Sequence, residues 1–209
     1  MKKEKTTKLL ILLISIIGIW LHVSQGFKTY GYAIFYFFTV LSNIMVVVYY
    51  LLYFFIPRKS SGIIQGYIIE PILLTGVLNW FILAPLSLKY YGSLLPLLNP
   101  SNFIVHGLTP ILVTVDWILF APKGLYNKKA PLKWCYFPIL YSIFIYVRAS
   151  FGGPIFAGAL FPYSFYDPHD MGGWRNVIHC LLTIGLVYLI IGYGIYFLKK
   201  KNRWKNEND

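Results

Sequence analysis

Two side chains in this sequence, Thr39 and His106, are the types that make a nucleophile and base pair. A threonine hydroxyl is inert at its own pKa, and an imidazole within hydrogen-bond reach can take its proton as it attacks an acyl carbon. Both residues stand inside long apolar stretches, where a hydroxyl or an imidazole is expensive unless it is paired or used.

Other polar residues recur at helical spacing around them. Thr39 and Asn43 are four apart and share one helix face, as do Asn102 and His106. Asn176, His179 and Thr183 follow an i, i+3, i+7 pattern. These faces are expected to point inward, because lipid cannot satisfy them. Asn43, Asn79 or Asn102 would orient the base or donate to an oxyanion. Arg148 has two readings: it snorkels to the surface, or it holds the carboxylate of a lipid-like substrate.

The elements that must position these groups are membrane helices. Of 209 residues 57% are apolar and 12% charged, mean hydropathy is +0.61, and apolar runs near the ~20 residues that cross a hydrocarbon core recur along the chain. Six spans are expected, at about 9–23, 33–57, 63–83, 100–120, 132–151 and 176–198, in one all-α domain covering 1–209. The short first run resembles a signal peptide but has no small-x-small cleavage site after it, so it is read as a retained helix. Asn99 followed by Pro100 reads as an N-cap and first helical residue.

The net charge of +12 is an orientation signal and does not call for a nucleic-acid partner. Lys2, Lys3, Lys5 and Lys8, then Arg58 and Lys59, then Lys123, Lys128, Lys129 and Lys133, and finally Lys199, Lys200, Lys201, Arg203 and Lys205 all fall on one side of the six-span order. By the positive-inside rule both termini are cytoplasmic. Thr39 and His106 then each lie ~9 Å below the outer surface, with Asn79, Arg148 and His179 near the same level, whereas Asp116 lies ~15 Å deeper than His106, too far for a triad. Glu70, before Pro71, is read as an anchor at a helix irregularity. Cys135 and Cys180 fall near opposite faces and cannot pair.

Three imidazoles, His22, His106 and His179, could reach one layer, but no His-x-x-His or Cys-x-x-Cys pair supports a metal, and none is expected. No organic cofactor is implied either, since no phosphate-binding glycine loop or nucleophile elbow is present. The loop 151–174, rich in Gly, Pro and aromatics, reads as an interfacial cap or an ordinary aromatic belt. Asp167 and His169 stand in it.

Three ordered segments carry a resemblance. Tyr36-Phe37-Phe38-Thr39-Val40-Leu41-Ser42-Asn43, His106-Gly107-Leu108-Thr109-Pro110 through Asp116-Trp117, and Phe161-Pro162-Tyr163-Ser164-Phe165-Tyr166-Asp167 with Gly172 together resemble the signatures of the bacterial predicted six-transmembrane family. That family is similar in turn to the animal androgen-induced and androgen-dependent membrane hydrolases, which cleave fatty acid esters of hydroxy fatty acids with a threonine and a histidine. In place of the animal proteins' glutamate this chain has Asp116, and its proline is offset by one position. The resemblance implies a protein of the bacterial cytoplasmic membrane that hydrolyses lipid or fatty acyl esters, with Thr39 as nucleophile and His106 as general base. Its implied partners are the bilayer and a fatty acyl ester; oligomeric state is left open. Two other readings of the same polar layer stand beside it: a non-enzymatic lipid or small-solute binder or transporter, and a structural membrane subunit.

Overall fold

Long apolar runs satisfy their backbone groups internally only as helices, and helices are what this chain forms. The computed structural model describes residues 2–55, 62–95 and 97–200. The basic residues Arg58, Lys59, Lys201, Arg203 and Lys205 and the end of the 33–57 span lie outside the described residues. Among the described residues six helical runs are long and apolar enough to cross a membrane: Lys2–Tyr36, Phe38–Phe55, Ile64–Lys89, Pro100–Phe120, Ala130–Phe151 and Trp174–Leu198.

The elements are α1 (Lys2–Tyr30), a 3-10 turn Gly31–Tyr36, α2 (Phe38–Phe55), α3 (Gly62–Leu78), a π turn Asn79–Leu83, α4 (Ala84–Tyr91), α5 (Pro100–Phe103), a π turn Ile104–Leu108, α6 (Thr109–Phe120), α7 (Ala130–Trp134), α8 (Tyr136–Phe151), a 3-10 turn Ser164–Tyr166 and α9 (Trp174–Leu198). The fourth span begins as its sequence requires: Asn99 Oδ1 accepts the Ser101 N–H at 3.1 Å, ahead of Pro100 at the first helical position. Between α7 and α8 the chain slips at Cys135. Pro138, which has no N–H, leaves the Trp134 carbonyl without its helical donor, and the Tyr188 hydroxyl of α9 supplies one at 3.4 Å.

Four span boundaries differ by several residues from the hydropathy reading: α1 starts before 9 and ends after 23, α2 starts after 33, and the third run continues past 83 to Lys89. The first helix starts seven residues before residue 9, because Lys8 is a buried member of the bundle. Its Nζ donates to both Asp116 carboxylate oxygens at 2.7 Å, and Tyr50 donates to Oδ2 at 3.0 Å. The second helix starts at Phe38, because Gly31 takes up a left-handed conformation (φ 53°) that ends α1, and the 3-10 turn and extended Phe37 follow. Lys199 also leaves the basic tail, since its Nζ donates to the carbonyls of Ile118 and Ala121 and closes the end of α6.

The contacts set the register of three helices. α1 runs antiparallel to the fourth span, with Lys8 against Asp116, Gly18 against Ile104 and His22 against His106. Gly18 is required there, for any Cβ would overlap the Ile104 side chain. α2 runs parallel to that span, with Thr39 against His106 and Tyr50 against Asp116. α3 closes the other side of the span, and α7 and α9 pack on α3, with Trp134 over Gly66 and the fully buried Glu70 against Gly192.

The Lys8–Asp116 pair should behave as a unit. Lys8→Met strands a buried carboxylate, and a loss of about 3–5 kcal/mol is expected in a thermal or denaturant melt. Lys8→Met combined with Asp116→Leu should lose less than the single variant; equal losses would show that the two charges are not coupled.

Candidate functional site

Thr39 and His106 meet. Thr39 Oγ1 lies 3.1 Å from His106 Nε2, and both residues are 8% exposed. The opposite ring nitrogen, Nδ1, is 3.2 Å from the Asn102 carbonyl oxygen. A carbonyl can only accept, so this contact places the imidazole proton on Nδ1 and leaves the Nε2 lone pair to receive the Thr39 hydroxyl proton. The base is thus held in the tautomer that can activate the hydroxyl, with a backbone carbonyl in the orienting place that a carboxylate takes in an acid-containing triad.

The π turn explains why His106 sits as it does. Pro110 donates no N–H, so the carbonyl one helical turn before it loses its usual partner. The Asn43 amide donates to the Val105 carbonyl at 3.2 Å and to the Thr39 carbonyl at 2.9 Å, and Trp80 Nε1 donates to the His106 carbonyl at 3.1 Å. One side chain of α2 therefore ties the backbone carrying the hydroxyl to the backbone carrying the base. Ser42 adds a link from the Thr39 carbonyl to Thr75 of α3, with both contacts at 3.0 Å.

Because α2 begins at Phe38, Thr39 stands in its first turn, where backbone N–H groups have no helical partner. The Tyr163 hydroxyl covers that end, accepting from the Thr39 N–H at 3.4 Å and also meeting the Thr39 side chain. Burial pushes the Tyr163 hydroxyl above its ordinary pKa, and the contacts with Thr39 and with the Phe38 backbone pull against that rise. Tyr163 is carried by the 151–174 loop, which packs Phe37 against Tyr163 and Tyr30 against Phe156. The loop is a cap over the pair. Burial likewise raises Tyr166, to about 12, and its hydroxyl pairs with Ser142 at 2.9 Å.

The remaining expected residues divide. Asn43 is in the site as described. Asn79 is buried on the α3 side of the bundle, four residues beyond Thr75 and so on the same helix face, with neither amide atom hydrogen-bonded among the described residues. It is free to donate. Asn102 acts through its carbonyl, and its side-chain amide donates to the Leu97 carbonyl at 2.9 Å. Arg148 does not join the pair: its guanidinium donates to the carbonyls of Leu160 and Gly153 and lies over the Tyr36 ring, so it staples the cap. His179 and Thr183 are exposed on α9, as is Asn176, whose amide donates to the Met171 carbonyl. Their expected inward face is corrected to an outward one, because α9 packs through Val177, Tyr188, Gly192 and Ile195. Asp167 accepts the His169 N–H inside its own loop, and exposed His169 leans toward Asp170.

Two contributors were not singled out as site residues from sequence. His22 of α1 meets the His106 ring edge-on at 5.8 Å between centroids. Its only signal was its depth, and it was weighed solely as a metal ligand. Tyr163 stands in the aromatic loop, where nothing in its spacing assigns it a role.

Beside His106 lies an apolar groove of about 330 Å³ between α3 and α6, lined by Leu73, Gly76, Val77, Trp80, Phe81, Gly107, Pro110, Ile111, Thr114 and Val115. Gly76 lets the helices approach, since a Cβ there would come within 3.2 Å of the His106 carbonyl. Phe81 and Ile111 on its rim are exposed at the bundle surface, so the groove opens sideways. No protein-family profile, curated protein or solved structure matches this chain.

The shared amide of Asn43 is expected to hold the site together. Asn43→Ala removes the cross-helix donor to the Val105 carbonyl in an apolar surround, while Ser42 still donates to the Thr39 carbonyl, and a loss of about 1–3 kcal/mol should appear in thermal melts. A melt equal to that of the parent would show that water or a neighbour replaces the amide.

Proposed function

We propose that this chain is an integral membrane hydrolase of lipid or fatty acyl esters, with Thr39 as nucleophile and His106 as general base. The observation that carries the reading is the Thr39–His106–Asn102 chain of contacts, with its tautomer set for proton transfer away from the hydroxyl. The hydroxyl attacks the ester carbonyl and passes its proton to Nε2. The proton then goes to the leaving alkoxide, and water cleaves the acyl-threonine in the reverse sense. Asn79, with an unused buried amide, is a candidate donor to the oxyanion.

The six apolar runs and the charge bias support a multi-pass membrane protein with both termini inside, and the resemblance implies the cytoplasmic membrane of a bacterium. In that frame the cap faces outward and the groove opens to the lipid tails. An acyl chain would lie in the groove between Leu73 and Thr114, against the backbone of the turn that carries His106. The ordered motifs that resemble those of the bacterial predicted six-transmembrane family, and through it those of the animal androgen-induced hydrolases, imply the same chemistry. The groove equally favours a second reading, a lipid binder that never acylates.

Two measurements separate them. An acyl-directed covalent probe should label the purified protein at Thr39, with labelling and ester turnover falling by about 10²–10⁴-fold in Thr39→Ala and His106→Ala while thermal stability persists. Equal labelling of all three forms would leave only the binder. Thr114→Trp, which fills the far end of the groove, should shift preference toward shorter acyl chains in competition assays; an unchanged chain-length profile would place the acyl chain elsewhere.

A further inference from the structure

Besides the Glu70 carboxylate and the Asn79 amide, three oxygens on three helices are buried without a hydrogen-bond partner among the described residues: Ser15 Oγ on α1, Asn43 Oδ1 on α2 and Thr109 Oγ1 on α6. Each of these residues is 0% exposed. The register brings them to one level. On α1, Lys8 faces Asp116 and Gly18 faces Ile104, so Ser15 falls between them, beside Leu108 and Thr109. On α2, Thr39 faces His106 and Tyr50 faces Asp116, so Asn43 is level with Thr109 and Pro110. Faces agree as well as levels. Ser15 is seven residues from Lys8 and from His22, and Thr109 is seven from Asp116, which keeps each on the stripe that meets the other two helices.

Buried oxygens left unpaired are costly, and several meeting at one place are the usual mark of an internal water, which typically makes about three hydrogen bonds to such groups. The donor set is neutral, and the nearest charges, Lys8 and Asp116, already neutralise one another. We propose that Ser15, Asn43 and Thr109 form an internal water site one helical turn from His106, which supplies the water that cleaves the acyl-Thr39 intermediate. The supply role rests on the hydrolase reading, whereas the water site stands without it.

The step it serves is balanced. Water oxygen adds to the acyl carbon as its proton passes to His106 Nε2. The acyl carbon–Oγ1 bond then breaks, Oγ1 recovers the proton, and a free carboxylic acid leaves. Asn43 joins the two regions, because its amide nitrogen holds the Thr39 and Val105 carbonyls while its oxygen faces the site.

The sign of a stability change tests the site. Thr109→Val keeps side-chain shape and removes one oxygen. If a water is held there, its network loses a member and Tm should fall by about 2–4 °C. If the oxygens are merely unpaired, removing one leaves Tm equal or raises it, and the proposal is overturned. Ser15→Ala provides the same comparison should the first variant fail to fold. A Tm that rises with sodium chloride but not with choline chloride would mean a cation in the site and would also overturn it. With an ester substrate, intact-mass spectrometry of Thr109→Val should show acyl-Thr39 accumulating relative to the parent; a parent-like adduct level would overturn the supply role. If the parent itself never acylates, the hydrolase reading falls, and the Tm comparison still decides the water site.

Discussion

Pro110 deprives the fourth span of a backbone donor in a place where no solvent can replace it, and the polar architecture around the proposed site follows from how that deficit is met. The Val105 and His106 carbonyls, five and four residues before Pro110, each accept from a side chain outside their own span. Asn43 and Trp80 are these donors, and in donating they fasten α2 and α3 to the same turn. The π turn that accommodates the proline also turns His106 so that Nδ1 meets the Asn102 carbonyl and Nε2 meets Thr39. A packing problem and a catalytic geometry share one solution.

Much of this was legible in the residues. Helix period and run length set out six spans, and the fourth was bounded correctly at both ends because Asn99 and Pro100 announce its start. The pairing of Thr39 with His106 followed from matched depth, and the exclusion of Asp116 from the pair followed from ten residues of rise. What hydropathy could not show was a charge that is buried because it is paired. Lys8 read as a flank, and only its contact with Asp116, far away in sequence, places it inside. The inward face assigned to Asn176, His179 and Thr183 failed for a related reason. Periodicity tells which residues share a face; it does not tell whether that face has a neighbour.

Asn102 illustrates a further limit. Its side chain drew attention by its spacing to His106, yet the atom that matters is its carbonyl, a group every residue carries. Arg148 was read either as a snorkelling cation or as a carboxylate holder, and the structure gives it instead to the backbone of the cap. Tyr163 hangs from that cap and closes the open end of α2 over Thr39. The loop and the dyad are thus mechanically joined: whatever lifts the cap also uncovers the first turn of α2.

The salt bridge at the opposite end has a bearing on how the protein is made. Lys8 and Asp116 are separated by 108 positions, so the first helix emerges from the ribosome long before its counter-ion exists. Until the fourth helix is made, the only one of its two carboxylate partners that Lys8 can meet is Glu4, one turn earlier on its own helix. The contact that buries Lys8 can therefore form only after most of the bundle has been synthesised, and the first helix reaches its final partners from the far end of the chain.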